Sequence, residues 1–510
     1  MAAAEGTPGA LGTAVPPPPG PPPGPPPVPP PVPPPGPPLV PPPGPPPGPP
    51  PGPPPGPPPG PPPGPPPGPP LVPPPGPPLE CGGDDAQAMG RDPLPVLRQI
   101  LAACAFPELL ESPALAEAAR SRARSVLREM DAGNIGGYNH EHRSHGVPAR
   151  VSRFLEFRDG GVPCDPRDIV LCSGTATVIP FVLSLVVCPG SALPTGVLVP
   201  VPGPPLCAAA AGLAGAVPVP YPLDESRGWA VDVAALRREV REARSRCHPK
   251  VLWVVNPGDP TGHVLSRPDM ESIVRLAAEE PLLLLADEVH QERAFAPERP
   301  FLSFKRVLAE LGAPLATSVQ LVSFYSLSKS AAGESGFRAG FLELVNVDEV
   351  VRQPFQLAQS IPRPCVPGRI LLDLLMELPG EGDPVRRALE EHRRDLCRDL
   401  AANARRLQEE LGRAPGIRCQ PLAGGPRAFP RIRIPPRARS QARALGLEPD
   451  VFFCRKLQEA TGLVVAPGSH FGMGGDSGHL GLSLLLPAPA LERALLLLRR
   501  FHAQFLREFS

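Results

Sequence analysis

The sequence predicts an α/β protein: a mostly parallel sheet flanked by helices, with a smaller α+β domain and a disordered, proline-rich tail before both. Three observations predict it. Of 88 prolines in 510 residues, 47 fall within the first 80. From about residue 166 short apolar runs alternate with helical periods. Beyond about residue 356 that alternation gives way to a long charged helix, short strands and a final helix.

The tail comes first. From Pro16 to Leu79 only Pro, Gly, Val and Leu occur, mostly as the unit PPPG. Proline has no N–H to sustain a helix or a central strand, so no packed core forms there. Glycine recurs at every fourth position and not every third, which excludes a collagen helix and leaves polyproline II. Its many PxxP units fit the ligands of SH3 or WW domains. Residues 1–80 are set apart on these grounds, and the remainder is long enough for two domains sharing a large core.

Charge excludes other classes. The 50 basic and 50 acidic residues balance, so the excess that marks a nucleic-acid or anionic-membrane binder is missing. Residues 169–223 carry no charged side chain, but ten prolines cut the stretch into pieces far shorter than the roughly 20 apolar residues of a membrane span. It reads as buried interior. Met1 to Ala10 shows neither a basic segment nor an apolar run, and no arginine precedes Arg91, so a cytoplasmic location is expected. Eleven cysteines without a CxxC pair read as reduced thiols.

Within the body, 112–129, 232–246 and 266–279 carry apolar residues at three- and four-residue spacing and are expected as helices. VLVPV at 197, VLWVV at 251, LLLLA at 282 and VQLVSF at 319 are expected as strands covered on both faces. The division expected is 81–165 as the N-terminal part of the small domain with a substrate loop, 166–355 as the large domain, and 356–510 as the C-terminal small domain.

Ligands of such sheets sit beyond the C-terminal ends of the strands, so the polar residues following each run are the site candidates. Ser173 to Thr177 precede an apolar helix, whose N-terminal N–H groups suit a phosphate or need no more than a cap. Asn256 opens a proline-rich turn, NPGDPTG. Asp287 leaves a fully apolar strand, where a carboxylate needs a cationic partner. Ser326, Ser328 and Lys329 follow the next strand, with Arg338 nine residues on. Lys329 is one of only four lysines against 46 arginines, which points to chemistry that needs an amine.

Amide, acid, lysine and arginine in that order at successive strand ends resemble pyridoxal-phosphate enzymes of fold type I. NPGDPTG, LLLLADEVHQE, SFYSLSKSAAGESGFRAG and VVAPGSHFG are similar to the alanine aminotransferase family. The resemblance runs from about Asp84 to Ser510 and implies transamination of L-alanine with 2-oxoglutarate on pyridoxal 5'-phosphate, in a homodimer. It assigns Lys329 to the covalent link with the cofactor aldehyde and to proton transfer, and Asp287 to the ring nitrogen. Asn256 and His290 would meet the ring 3-oxygen. Arg338, Ser326, Ser328 and the turn of Gly174, Thr175, Ala176 and Thr177 would hold the phosphate, with Tyr138 reaching it from the other subunit.

The pattern is broken in places. The arginine with which the family clamps the substrate carboxylate is Gly481 here, a tyrosine expected to stack on the ring is Pro204, and another is His290. Arg427 or Arg143 is the candidate replacement for the clamp. The histidine-rich stretch 139–145 reads as a diverged, solvated loop, and no metal is expected. A second reading keeps cofactor binding but not efficient transamination, the chain then acting as a binding or regulatory protein.

Overall fold

The chain, in a computed structural model, is described for residues 77–130, 133–137, 146–188, 190–358, 364–377, 382–475 and 478–510. The tail as far as residue 76, the loop 138–145, and with them Tyr138 and Arg143 lie outside the described residues.

A two-residue strand, β1 (Leu79–Glu80), leads into the helices Pro95–Ala105, Glu117–Glu129 and Gly146–Arg158. The helix expected from residue 112 begins at Glu117. The Ser112 N–H closes the preceding turn on the Leu109 carbonyl, and Pro113 has no N–H to offer a helix.

The main sheet follows: β2 (Ile169–Cys172), β3 (Thr195–Val201), β4 (Val217–Asp224), β5 (Ala230–Val231), β6 (His248–Val255), β7 (Leu283–Asp287), β8 (Leu321–Ser326) and β9 (Gly340–Val345). Their spatial order is β2-β9-β8-β7-β6-β3-β4-β5. The pairs β4–β3, β3–β6, β6–β7 and β7–β8 are parallel, while β9 runs antiparallel between β8 and β2, as β5 does beside β4.

Strand β6 shows why continuous apolar runs are needed. Leu252 and Val254 enter one core with the helices Val233–Ala243 and Arg267–Glu279, whereas Val251, Trp253 and Val255 enter the opposite core with the helices Thr175–Val186 and Pro205–Leu213. Successive strand residues point to opposite faces, so a sheet covered on both sides has no polar register to spare. The helix Arg267–Glu279 is started by a capping box in which Ser266 and Asp269 satisfy each other's backbone N–H.

The C-terminal strands are short: β10 (Ile417–Arg418), β11 (Arg427–Ala428), β12 (Arg431–Ile432), β13 (Leu463–Val464), β14 (Ala466–Pro467) and β15 (Leu480–Ser483). β15 lies between β11 and β14, antiparallel to both, β10 pairs with β12, and β1 pairs parallel with β13. The helices Pro384–Gly412, Pro449–Thr461 and Ala488–Phe509 share one core with these strands.

Residues 81–165 do not pack as a single piece with that C-terminal core. Cys81 and Met89 enter it, but from Leu94 to Cys164 the buried side chains pack with Ile169, Tyr325, Phe341 and the helix Val366–Met376. Their apolar faces cover strands β2, β9 and β8 at one end of the sheet, whose own side chains would otherwise meet water. Among the described residues no helix is long and apolar enough to cross a membrane.

Candidate active site

Strands β6, β7 and β8 all end on the same side, and there a cavity of about 460 Å³ opens. Its far side is formed by the segment around Asp84 and by Arg427, Ala466, His470 and Phe471.

Asp287 is the last residue of β7, paired in register with Val255 on one side and Phe324 on the other. It lines the cavity at 5% exposure, and its Oδ1 has no hydrogen-bond partner among the described residues. Burial, reinforced by Asp259, pushes its carboxyl up to about 6. The next residue, Glu288, shows the alternation of strand faces. It is fully buried on the other side, where Oε1 accepts the Phe304 N–H at 2.7 Å. Each of these adjacent acids has one oxygen without a hydrogen-bond partner among the described residues, Asp287 Oδ1 and Glu288 Oε2, but only Asp287 lines the cavity.

Lys329 follows β8 on a single turn of 3-10 helix and lines the same cavity, ion-paired with Asp84. Burial alone would favour a neutral Asp84, but the Lys329 and Arg427 charges beside it hold its carboxyl below the usual range.

A third group stands at the helix Thr175–Val186. Thr175 and Ala176 line the cavity, while Thr177 turns its hydroxyl back to the Gly174 carbonyl at 2.7 Å. Gly174 sits at φ +100°, and a Cβ there would meet Arg338 Nη2 at 2.4 Å. Only glycine lets the guanidinium approach this turn so closely. Arg338 Nη1 donates to Ser328 Oγ at 3.1 Å and to the Ser335 carbonyl at 3.0 Å. Arg338 is itself left-handed, at φ +46°, a conformation costly for a residue with a Cβ and frequent at functional sites. Ser326 lines the cavity, and its Oγ accepts the Ser328 N–H at 3.3 Å.

These features fit pyridoxal phosphate. A buried carboxylate oxygen without a partner suits a protonated ring nitrogen, an amine stands at the same wall, and the helix N-terminus with Arg338 and two serines suits a dianionic phosphate. Tyr138 is not among the residues that can be placed there.

Asn256 stands behind the wall. It is fully buried, its Oδ1 accepts the Leu265 N–H at 2.9 Å, and its Nδ2 has no partner among the described residues. The residue of the same turn that lines the cavity is Asp259. The sequence reading passed it over, although a second polar residue in NPGDPTG was the available signal. Burial works against an ionised Asp259, but Arg427 prevails, donating from Nη1 to both carboxylate oxygens at 2.6 and 2.8 Å, and holds the acid well below the usual range. His290 Nε2 is 3.8 Å from the same carboxylate, and burial drives this imidazole down to about 4, so it is neutral at physiological pH.

Arg427 is therefore engaged. Besides Asp259 it donates from Nε to the Gly82 carbonyl at 3.1 Å, and its guanidinium lies 5.6 Å from the Phe471 ring centre. Gly481 on β15 pairs in register with Ala466, and a Cβ at residue 481 would meet Phe471 Cε2 at 2.9 Å. The position of the expected clamp is closed off by a phenyl ring. Pro204 lines the cavity. Arg293 is another residue the sequence reading missed. It is fully buried, all three of its guanidinium nitrogens lack hydrogen-bond partners among the described residues, and burial pulls it down to about 10.

Comparison with known proteins agrees with this geometry. The family model for aminotransferase class I and II matches residues 106–495. Alanine aminotransferase 1 of Bos taurus is 44% identical over 427 residues, 84% of this chain and 86% of the relative, and that of Homo sapiens is 43% identical over the same shares. Glutamate–glyoxylate aminotransferase 1 of Arabidopsis thaliana is 35% identical, over 83% of this chain and 88% of the relative. Among solved structures, an alanine aminotransferase from Pyrococcus furiosus superposes with a TM-score of 0.65 at 18% identity, covering 84% of this chain and 93% of that one, a likeness of fold. The chain belongs to the class I and II aminotransferases, enzymes that work with pyridoxal phosphate.

Proposed function

We propose that the protein transfers the amino group of L-alanine to 2-oxoglutarate, giving pyruvate and L-glutamate, and that Lys329 is the residue that bonds the cofactor. The observation that carries the reading is the juxtaposition of the Lys329 amine with a buried Asp287 oxygen that has no partner, in a chain 43–44% identical to alanine aminotransferases.

When bound, the cofactor supplies an electron sink that lets the substrate Cα release its proton. The chain supplies the rest. Asp287 keeps the ring nitrogen protonated, because an ionised carboxylate in a buried wall stabilises a neighbouring cation. Arg338, Ser326, Ser328 and the turn from Gly174 to Thr177 hold the phosphate and fix the ring against Lys329. The Lys329 amine, released in each half-reaction, removes the Cα proton and returns it elsewhere; an arginine in its place would stay protonated. Asn256, whose buried Nδ2 has no partner among the described residues, and His290 are the donors that would meet the ring 3-oxygen, whereas Asp259, held ionised by Arg427, has no proton to offer it.

Arg427 and Arg143 remain the candidates for the substrate carboxylate, and Tyr138 the candidate contributed by a second subunit of a homodimer in the cytoplasm. The test is spectroscopic. Purified protein given the cofactor develops a visible absorbance band, and L-alanine or L-glutamate shifts it. A band that neither amino acid moves overturns the proposed reaction.

A further inference from the structure

The substrate side of the cavity already contains a carboxylate. Asp84 ion-pairs with Lys329 through one oxygen and stands 3.7 Å from Arg427 Nη2 with the other. The cations lining the described cavity are Lys329, Arg427 and Arg338, and Arg338 is held at the helix end by Ser328 and Ser335. With Lys329 bonded to the cofactor in the loaded protein and Arg338 at the helix end, Arg427 is the lining cation left to a substrate carboxylate, and Asp84 lies against it.

The backbone on both sides of Asp84 is anchored. On one side of it the Cys81 N–H donates to the Val464 carbonyl at 2.8 Å, the Ser483 N–H donates to the Cys81 carbonyl at 2.7 Å, and Arg427 Nε holds the Gly82 carbonyl. On the other side the Ala88 N–H caps Asp85 at 2.8 Å and Gln87 Nε2 donates to the Gly333 carbonyl at 3.1 Å. The backbone of Asp84 cannot leave the cavity without breaking these anchors, so its side chain stays within reach of an incoming anion.

We infer that Asp84 is a specificity-determining residue, a built-in competitor that stands beside Arg427 where a substrate carboxylate would approach. It sets how weakly this enzyme holds carboxylate substrates. Neutralising it leaves Arg427 with one acid, Asp259, where it now faces two, and removes a like charge from the path of the ligand. Dicarboxylates gain at least as much as alanine.

The inference rests on the proposed function only in taking the ligand to carry a carboxylate. The experiment uses the full chain loaded with cofactor and titrated calorimetrically with glutarate, a dicarboxylate that has neither amine nor keto group. Asp84→Asn is expected to tighten glutarate about tenfold, and Asp84→Glu to leave it unchanged. Asp84→Asn combined with Arg427→Gln is expected to lose the gain, and the KM for alanine is expected to fall in Asp84→Asn more than kcat changes. Asp84→Ser serves the same purpose if the asparagine variant does not load cofactor. Unchanged or weaker glutarate binding in a variant with wild-type absorbance overturns the inference, as does a gain that survives the loss of Arg427. Glutarate binding needs no turnover, so a tightened glutarate site in a protein that does not react with alanine sinks the proposed reaction and keeps this inference.

Discussion

The wall of the cavity built by the main sheet and the wall built by the small sheets treat charge in opposite ways. On the first, Asp287 has a buried oxygen with no partner, and Arg338 is drawn against a glycine turn. Both groups face the cavity. On the second, Arg427 is satisfied by Asp259 and Gly82, Asp84 reaches across to Lys329 of the first, and the place of a clamping arginine is taken by Gly481 beneath Phe471. Those groups satisfy one another. Holding the cofactor and gripping the substrate are therefore separable properties of one cavity, and one can change while the other stays.

The largest effect expected on the cofactor wall comes from Lys329→Ala. The visible band should vanish and turnover should drop on the order of 10⁴-fold, with far-ultraviolet circular dichroism unchanged. Next is Asp287→Ala, which removes a charge-assisted partner worth about 1.5–3 kcal/mol and should weaken cofactor binding on the order of tenfold to a hundredfold in an equilibrium titration.

The same acid gives a pH dependence. With its carboxyl at about 6 before the cofactor binds, Asp287 must lose a proton to serve the ring nitrogen below that pH. Cofactor affinity should fall as pH drops below about 6 and level off above 7, and Asp287→Ala should flatten the profile. In the cofactor-free protein the sign is reversed. A raised acid stabilises the fold at low pH, and its contribution is lost as pH rises through about 6.

A smaller loss is expected for Gly174→Ala, whose Cβ would push Arg338 out of the turn at a φ that alanine disfavours by about 1 kcal/mol. Cofactor affinity and melting temperature should fall together. The substrate wall should respond least. Gly481→Arg alone is expected to leave the KM for alanine unchanged, since Phe471 blocks the new side chain. Gly481→Arg with Phe471→Ala should lower it, and a gain from the single variant would show that the ring moves aside.

The sequence made one wall legible and left the other obscure, for a physical reason. Strand ends are local: an apolar run followed by Asp287, or by Ser326 to Lys329, announces itself within ten residues. The alternation that turns Glu288 inward is equally local once the strand is placed. By contrast, Asp84 and Lys329 are 245 residues apart, and Arg427 and Asp259 are 168 apart. No periodicity registers such pairs, which is why Arg427 read as an available clamp and Asp84 as no more than the start of the resemblance. The different places of Asn256 and Asp259 escaped the sequence for a related reason. Both lie in one turn, and only the path of the backbone decides which faces the cavity.

Each wall also has its own optical reporter. The chain has two tryptophans. Trp253 lies in β6, paired with Leu285 of the strand that ends in Asp287, and Trp229 packs against Phe429 at 5.8 Å and His479 at 5.6 Å, beside the small sheets. Replacing one at a time with phenylalanine would leave a fluorophore that reports cofactor loading through quenching of Trp253, or repacking around Phe471 through Trp229. The emission of two indoles could then follow in real time which of the two walls responds first when a ligand arrives.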